Sequence, residues 1–352
     1  MNFTYNSLPH RVIFGAGKLS EVKAEAEWLG GKRALVLSTP QQTALAEQVA
    51  GLLGDICAGV YHQAVMHVPV ETVADALKVV QERQVDLLVT PGGGSTIGLG
   101  KGLALETGLP ILAIPTTYAG SEMTSIWGLT EGGRKKTGRN PIVKPKSVIY
   151  DPKLVMTLPV GMSVTSAINA VAHSVEALYA QNANPITSIM AEESIRALAN
   201  GLPNVVQNPN DLAARSQTFY GSWLAATVLG SVGMALHHKL CHTLGGSYNM
   251  PHAQTHTVML PYATAYNSSH APQAMQAIAR ALDCDINEVA GSIYDLSHKH
   301  GGPVSLQELG FRAEDIENAA HIATQNPYYN PRPVTLEGVR DVFTQAYYGE
   351  RP

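Results

Sequence analysis

A change of hydrophobic period partway along the chain limits the fold more than any other feature. Up to about residue 150, compact apolar runs alternate with helical stretches. The runs are Val12-Ile13-Phe14, Ala34-Leu35-Val36-Leu37, Asp86-Leu87-Leu88-Val89, Ile111-Leu112-Ala113-Ile114 and Ser147-Val148-Ile149-Tyr150. The stretch 73–83 sets Val73, Ala76, Leu77 and Val80 on one helical face. Short continuous apolar runs separated by helices predict a parallel sheet covered on both faces. From about Thr157 that alternation is lost, and helical patterns follow one another over 162–180, 186–199, 212–229 and 233–244. A chain of 352 residues exceeds one ordinary core. The reading is therefore an α/β domain over 1–158 and an all-helical domain over 159–352, divided at Leu158-Pro159.

Composition narrows the partners. With 45% hydrophobic and 15% charged residues, the chain can bury a large core and is not a disordered one. A formal charge of -4 makes nucleic acid a poor candidate partner. A small acidic metabolite stays possible, because a local cationic pocket can sit in a mildly acidic protein. Cys57, Cys241 and Cys284 are widely spaced with no C-x-x-C pair, so neither a disulfide framework nor a zinc ribbon is indicated. The run Met1-Asn2-Phe3-Thr4-Tyr5 lacks the basic and apolar regions of a signal peptide, and no apolar run has the length to cross a bilayer. A cytoplasmic protein with no membrane partner is the expectation.

Two loops point to a nucleotide. Strand residues 86–89 run through Thr90-Pro91 into Gly92, Gly93, Gly94 and Ser95, where a helix starts. Three glycines let the backbone approach a ligand closely, and the helix adds its positive end, a natural seat for a pyrophosphate. It lies at the carboxyl end of a parallel strand, where ligands of such sheets bind. The loop after the next strand concentrates hydroxyls in Thr116, Thr117, Tyr118 and Ser121. Hydroxyls suit ribose and phosphate oxygens, and Tyr118 is expected to pack against a ring. A glycine-rich loop alone reads equally well as a packing turn; the two together favour a dinucleotide. The second strand runs into Ser38, Thr39, Pro40 and two glutamines, without the carboxylate that usually holds a ribose hydroxyl and without an arginine to favour a 2′-phosphate. Use of either NADH or NADPH is the expectation.

The helical half concentrates histidine. His173 follows Asn169 by four residues, so both face one way on a helix. His238 and His242 repeat that spacing, His237 sits one step round, and His252 follows Pro251 in what reads as a loop. A lone histidine on an apolar helix is usually a satisfied core residue. Two such pairs plus a Pro-His segment point instead to metal ligation or acid–base chemistry.

These motifs, in this order, resemble the iron-containing alcohol dehydrogenase superfamily, and more closely its maleylacetate reductase branch. The resemblance runs from Val12-Ile13-Phe14-Gly15-Ala16-Gly17 to Tyr262 and takes in Asp151-Pro152, Leu158-Pro159 and Asn330-Pro331-Arg332-Pro333. It implies an N-terminal dinucleotide-binding domain, a helical substrate and catalytic domain, and a homodimer. It also implies a metal held at positions 169, 173, 238 and 252, with His242 near the nicotinamide. Two departures match the maleylacetate reductase branch, whose members are thought to work without a metal. Asn169 stands where metal-dependent members carry aspartate, and Gly98 where many alcohol dehydrogenases carry aspartate.

The resemblance thus implies NAD(P)H-dependent reduction of the conjugated double bond of maleylacetate, a small dicarboxylate, to 3-oxoadipate, in the degradation of aromatic compounds. Imidazoles of His173, His238, His242 and His252, with Asn169, are the expected catalytic set, and no metal is expected. Three neutral imidazoles sharing protons can become partly cationic, which suits two carboxylates. Arg332 is the candidate for gripping one of them. Three competing readings remain at this point: a metal-dependent alcohol or polyol dehydrogenase, a lyase resembling dehydroquinate synthase, and a non-catalytic nucleotide-binding protein.

Overall fold

The computed structural model describes Phe3, Tyr5 and residues 10–352. Of the N-terminal run read for a signal peptide, Met1, Asn2 and Thr4 lie outside these residues. The chain divides into two compact units at Leu158/Pro159, and Phe3 and Tyr5 group with the second unit rather than the first.

The first unit carries β1 (Arg11–Phe14), β2 (Ala34–Leu37), β3 (Cys57–Tyr61), β4 (Leu87–Gly92), β5 (Ile111–Pro115), the hairpin β6 (Ile126–Glu131) and β7 (Arg134–Arg139), and β8 (Ser147–Tyr150). Its helices are α1 (Val22–Trp28), α2 (Thr43–Leu53), α3 (Val70–Glu82) and α4 (Gly94–Thr107). Six strands form one parallel sheet in the order β1-β8-β5-β4-β2-β3. Every residue of β2 and β4 is buried, which is why both read as unbroken apolar runs. The side chains of Val36, Val89, Leu112 and Ile149 pack with Val22 and Ala26 of α1 and Ala46 and Val49 of α2. Each buried valine, leucine or isoleucine contributes about 1.5–3 kcal/mol.

Sequence periodicity misses three strands. β3 is a half-exposed edge strand with Gly59 inside it, and β7 reads Arg-Lys-Lys-Thr-Gly-Arg, polar on both faces. The hairpin does have a local signal, Gly132-Gly133. Both glycines have positive φ (54° and 75°), as a two-residue hairpin turn requires.

The second unit contains α5 (Val160–Leu178), α6 (Pro185–Gln207), α7 (Leu212–Ser231), α8 (Leu236–Tyr248) and α9 (His252–Asn267). Further on come α10 (Pro272–Leu282), α11 (Val289–His298), α12 (Ile316–Thr324) and α13 (Leu336–Tyr348). α5 is buried from Ser163 through Ala177 and packs against α6, α7 and α9. α6 starts sharply because Asn184 and Thr187 form a reciprocal capping box and Pro185 occupies the first turn. His252 is not in a loop: Pro251 caps α9 in an extended conformation, and the helix starts at the histidine. Among the described residues no single helix is long and apolar enough to cross a membrane, and all three cysteines are free thiols.

Candidate active site

Three helices of the second unit bring six imidazoles together. α5 supplies His173, α8 supplies His237, His238 and His242, and α9 supplies His252 and His256. Ring centroids are 5.1 Å apart for His173 and His238, 5.0 Å for His238 and His256, and 4.8 Å for His237 and His256. His242 lies 6.1 Å from His238, and His252 lies 4.3 Å from His256. The cluster is graded. His173, His237, His238 and His256 are buried, whereas His242 and His252 are exposed. All four histidines expected from sequence are therefore in one group. His237 and His256 join them, and the signal for His256 was available, four residues after His252 on the same helix face.

Glu176, which sequence reasoning passed over, organises the group. It lies three residues after His173, so Asn169, His173 and Glu176 share one face of α5. Its fully buried carboxylate accepts the backbone N–H of His237 on Oε1 (2.7 Å) and that of Ala235 on Oε2 (2.8 Å). Oε2 also meets His238 Nδ1 at 2.7 Å. Three donors converging on two oxygens make the environment of an ionised carboxylate, which can only accept. His238 Nδ1 must therefore carry its proton, and His238 Nε2 is then an acceptor. His173 Nδ1 lies 2.9 Å from that Nε2 and donates to it. The tautomers of both rings follow from one buried anion, and His173 Nε2 is the nitrogen of the pair that this relay does not use.

The other buried pair behaves differently. His237 Nε2 and His256 Nδ1 share a hydrogen bond of 2.9 Å. Burial, then the surrounding imidazoles, holds both rings well below the ordinary histidine pKa, so they stay neutral. Their remaining nitrogens, His237 Nδ1 and His256 Nε2, and the amide oxygen of Asn169 have no hydrogen-bond partner among the described residues. Folded proteins leave few buried polar atoms unpaired, and several in one cluster make it the candidate site.

The cluster was also tested against the metal that the resemblance implies. Positions 169, 173, 238 and 252 offer one neutral amide and three imidazoles, without the anionic ligand. Among the described residues, the one group of three His, Cys, Asp or Glu donors lying within 4.8 Å of one another is His237, Cys241 and His256. Burial raises the Cys241 thiol well above its usual pKa. His173 and His238 direct their nitrogens at each other across a separation that one proton spans. Three neutral imidazoles can hold zinc; what this set lacks is the anionic ligand of the metal-dependent members, and two of its rings are hydrogen-bonded to each other.

Arg332 is engaged elsewhere. Its guanidinium stacks 4.1 Å over the Tyr266 ring and donates through Nη1 to Tyr266 O at 3.1 Å. Asn330 bonds Asn267 in both directions, so the 330–333 turn is pinned to the end of α9. These contacts give Arg332 a packing role beside the expected grip on a substrate carboxylate.

In the first unit, Gly92 ends β4, and Gly94 and Ser95 open α4. A Cβ on Gly92 would lie 2.4 Å from Thr96 Oγ1 and 2.7 Å from Gln42 Oε1, so glycine is required there. A Cβ on Gly94 would meet nothing within 4 Å, so the loop is open at its tip. Thr116 N–H donates to Gly92 O (3.3 Å) and Gln42 Nε2 to Thr116 Oγ1 (2.9 Å), which joins both loops at one end of the sheet. Thr117 flanks Gly93. Buried Thr96 Oγ1 has no hydrogen-bond partner among the described residues. An open glycine tip, a helix N-terminus and an unpaired hydroxyl beside it fit a nucleotide's phosphates. Two expectations change. Tyr118 is wholly buried, a core residue with no face for a cofactor ring, and Ser38 is also wholly buried, leaving Thr39 the more accessible. Gly98 is small for a local reason: a Cβ there would lie 2.7 Å from Val68.

The chain matches two family models, "Iron-containing alcohol dehydrogenase" over residues 9–152 and "Fe-containing alcohol dehydrogenase family, C-terminal" over 163–347. It is 52% identical to a maleylacetate reductase of Burkholderia cepacia over 350 residues, 99% of each chain. A crystal structure of a putative alcohol dehydrogenase from Ralstonia eutropha JMP134 superposes with a TM-score of 0.97 at 57% identity, covering 100% of this chain and 99% of that one. A crystal structure of maleylacetate reductase from Rhizobium sp. strain MTP-10005 gives 0.97 at 48% identity, covering 100% of both.

Proposed function

We propose that this chain, which belongs to the iron-containing alcohol dehydrogenase family and within it to the maleylacetate reductases, reduces the carbon–carbon double bond of maleylacetate to give 3-oxoadipate, using NADH or NADPH and no metal. The observation that carries this reading is Glu176 fixing the proton positions of two imidazoles in a cluster that has no anionic metal ligand.

The double bond is conjugated to a ketone. When bound, the dihydronicotinamide supplies a hydride to the alkene carbon remote from that ketone. Charge then collects on the ketone oxygen as an enolate, and a proton must reach the carbon next to the carbonyl. Gly92, Gly93, Gly94, Ser95, Thr116 and Thr117 hold the nucleotide's phosphates and ribose. An imidazole N–H directed at the enolate oxygen supplies the stabilisation, and one well-aimed donor is worth about 2.7–4 kcal/mol. His173 is the residue for that task as an imidazolium: one proton on Nδ1 is committed to His238, and the second, on Nε2, is the N–H offered to the enolate oxygen. His242 and His252, at the exposed side of the cluster, are placed to deliver the proton to carbon. Asn169 keeps a neutral acceptor where an aspartate would add a charge. The net change is one hydride and one proton added across the double bond.

The proposed setting is cytoplasmic catabolism of aromatic compounds by a homodimer. The test is NADH oxidation with freshly generated maleylacetate, with 3-oxoadipate identified by mass spectrometry. It is run before and after exhaustive chelation with metal content measured. Full turnover in metal-free protein is the expected result. Activity that leaves with the metal and returns with zinc or iron would overturn the mechanism, and turnover of alcohols alone would overturn the substrate.

A further inference from the structure

We infer that Glu47 and His62 select the nucleotide's ribose, favouring NADH over NADPH by placing a carboxylate where a 2′-phosphate would lie. The inference rests on the dinucleotide reading of the glycine loop and narrows the expectation that either nucleotide is used.

β2 pairs with β4, whose end carries that loop, and β3 pairs with β2 (Val36 with Val89, Leu37 with Tyr61). Ser38, Thr39 and His62 thus leave the sheet at the same end as Gly92. In parallel dinucleotide folds, the residue after the strand beside the glycine loop meets the adenosine ribose, commonly through a carboxylate. Here the strand ends in Ser38 and Thr39, and the carboxylate arrives from another element. Ser38 Oγ lies 3.0 Å from His62 Nδ1, and His62 Nε2 lies 3.2 Å from Glu47 Oε1 on α2. The serine hydroxyl can donate to Nδ1 while Nε2–H donates to the carboxylate. A neutral ring therefore satisfies both contacts and leaves the charge of Glu47 intact.

The wider surroundings agree. Residues 34–77 contain no lysine or arginine, and their charged side chains are Glu47, Asp55, Glu71 and Asp75. A 2′-hydroxyl can donate to the Glu47 carboxylate. A 2′-phosphate finds no cation from this segment and meets like charge.

The experiment measures equilibrium binding of NADH and NADPH, by nucleotide fluorescence, to the full chain and to Glu47→Gln and His62→Gln. Glu47 is largely solvent-exposed (side-chain exposure 59%), so its replacement leaves folding intact. Wild type is expected to bind NADH about tenfold more tightly than NADPH. Raising the salt should narrow that gap, because a partly exposed charge is screened. Glu47→Gln is expected to cut the ratio of the two dissociation constants by about five- to tenfold, with NADPH tightening and NADH weakening. Equal binding by wild type, or an unchanged ratio in Glu47→Gln, overturns the inference. Weaker NADPH binding by His62→Gln also overturns it, because the ring would then be a phosphate ligand. Failure to bind either nucleotide overturns the dinucleotide reading itself, an outcome distinguishable from the others.

Discussion

Replacing Glu176 with glutamine tests the site most directly. The carboxylate takes three N–H donors on two oxygens, from Ala235, His237 and His238. An amide has one acceptor oxygen, so its NH2 group must face either the His237 or the Ala235 backbone N–H. A buried donor left without an acceptor costs about 1–3 kcal/mol, and the remaining bonds lose their charge assistance. A total of roughly 2–4 kcal/mol follows. At roughly 2–4 °C per kcal/mol for a unit of this size, the Tm of Glu176→Gln should fall by roughly 5–15 °C. Chemistry should suffer separately. With the amide NH2 facing His238 Nδ1, the imidazole adopts the other tautomer, and His173 must then accept where it donated. A His173 that accepts at Nδ1 carries only a neutral N–H at Nε2 and cannot be the imidazolium, and loss of that charge-assisted donor corresponds to about 10²–10³ in kcat. KM for NADH should hold, because the nucleotide loops are in the other unit. Differential scanning fluorimetry and steady-state NADH oxidation report the two effects. Glu176→Asp, which keeps the charge, should recover part of the kcat. A Glu176→Gln enzyme with wild-type kcat would refute the relay, and one with wild-type Tm would refute the bonding account.

Gly94→Ala adds a methyl where nothing lies within 4 Å. In a helix the change gains up to about 1 kcal/mol, so Tm should hold or rise while NADH binding weakens by about tenfold or more, read by fluorescence titration. Unchanged binding would remove the phosphates from this loop. Asn169→Asp restores the anionic donor. Metal analysis after zinc loading and dialysis should find about one ion retained per chain in the variant and far less in wild type. Equal retention would contradict the fit argument. Lys101 is wholly buried, donating to Thr124 Oγ1 (2.9 Å) and Ile126 O (2.7 Å), and burial lowers its pKa to about 7. The unfolded chain then binds more protons than the folded one between about pH 7 and 10.5, so this group makes stability rise with pH across that window. Lys101→Met should flatten the rise in denaturant titrations at stepped pH, and an unaltered slope would show that the lysine is charged when folded.

Some of this protein is written locally. β2 and β4 are legible because strands buried on both faces must be apolar throughout, and α3 because its apolar residues recur at helical spacing. The glycine loop is legible because a Cβ at Gly92 would strike Thr96 and Gln42, and the pairs Asn169/His173 and His238/His242 because helix geometry puts residues four apart on one face. Order and spacing of those motifs suffice to suggest the family. The edge strand β3 and the hairpin β6–β7 escape, since none of these strands has a fully buried face that would impose a period. Other features depend on side chains that meet only after folding. Glu176 is one glutamate among many until α8 brings two backbone N–H groups and a ring to it. Tyr118 and Ser38 look like ligands in a loop until the sheet buries them, and Arg332 looks available until Tyr266 takes its guanidinium. The carboxylate missing after β2 reappears from α2 through His62. A sequence states which groups lie near one another along a helix or strand, because backbone geometry alone decides that. Burial, tautomer and charge environment are set by contacts between elements distant in the chain, and these the tertiary structure alone decides.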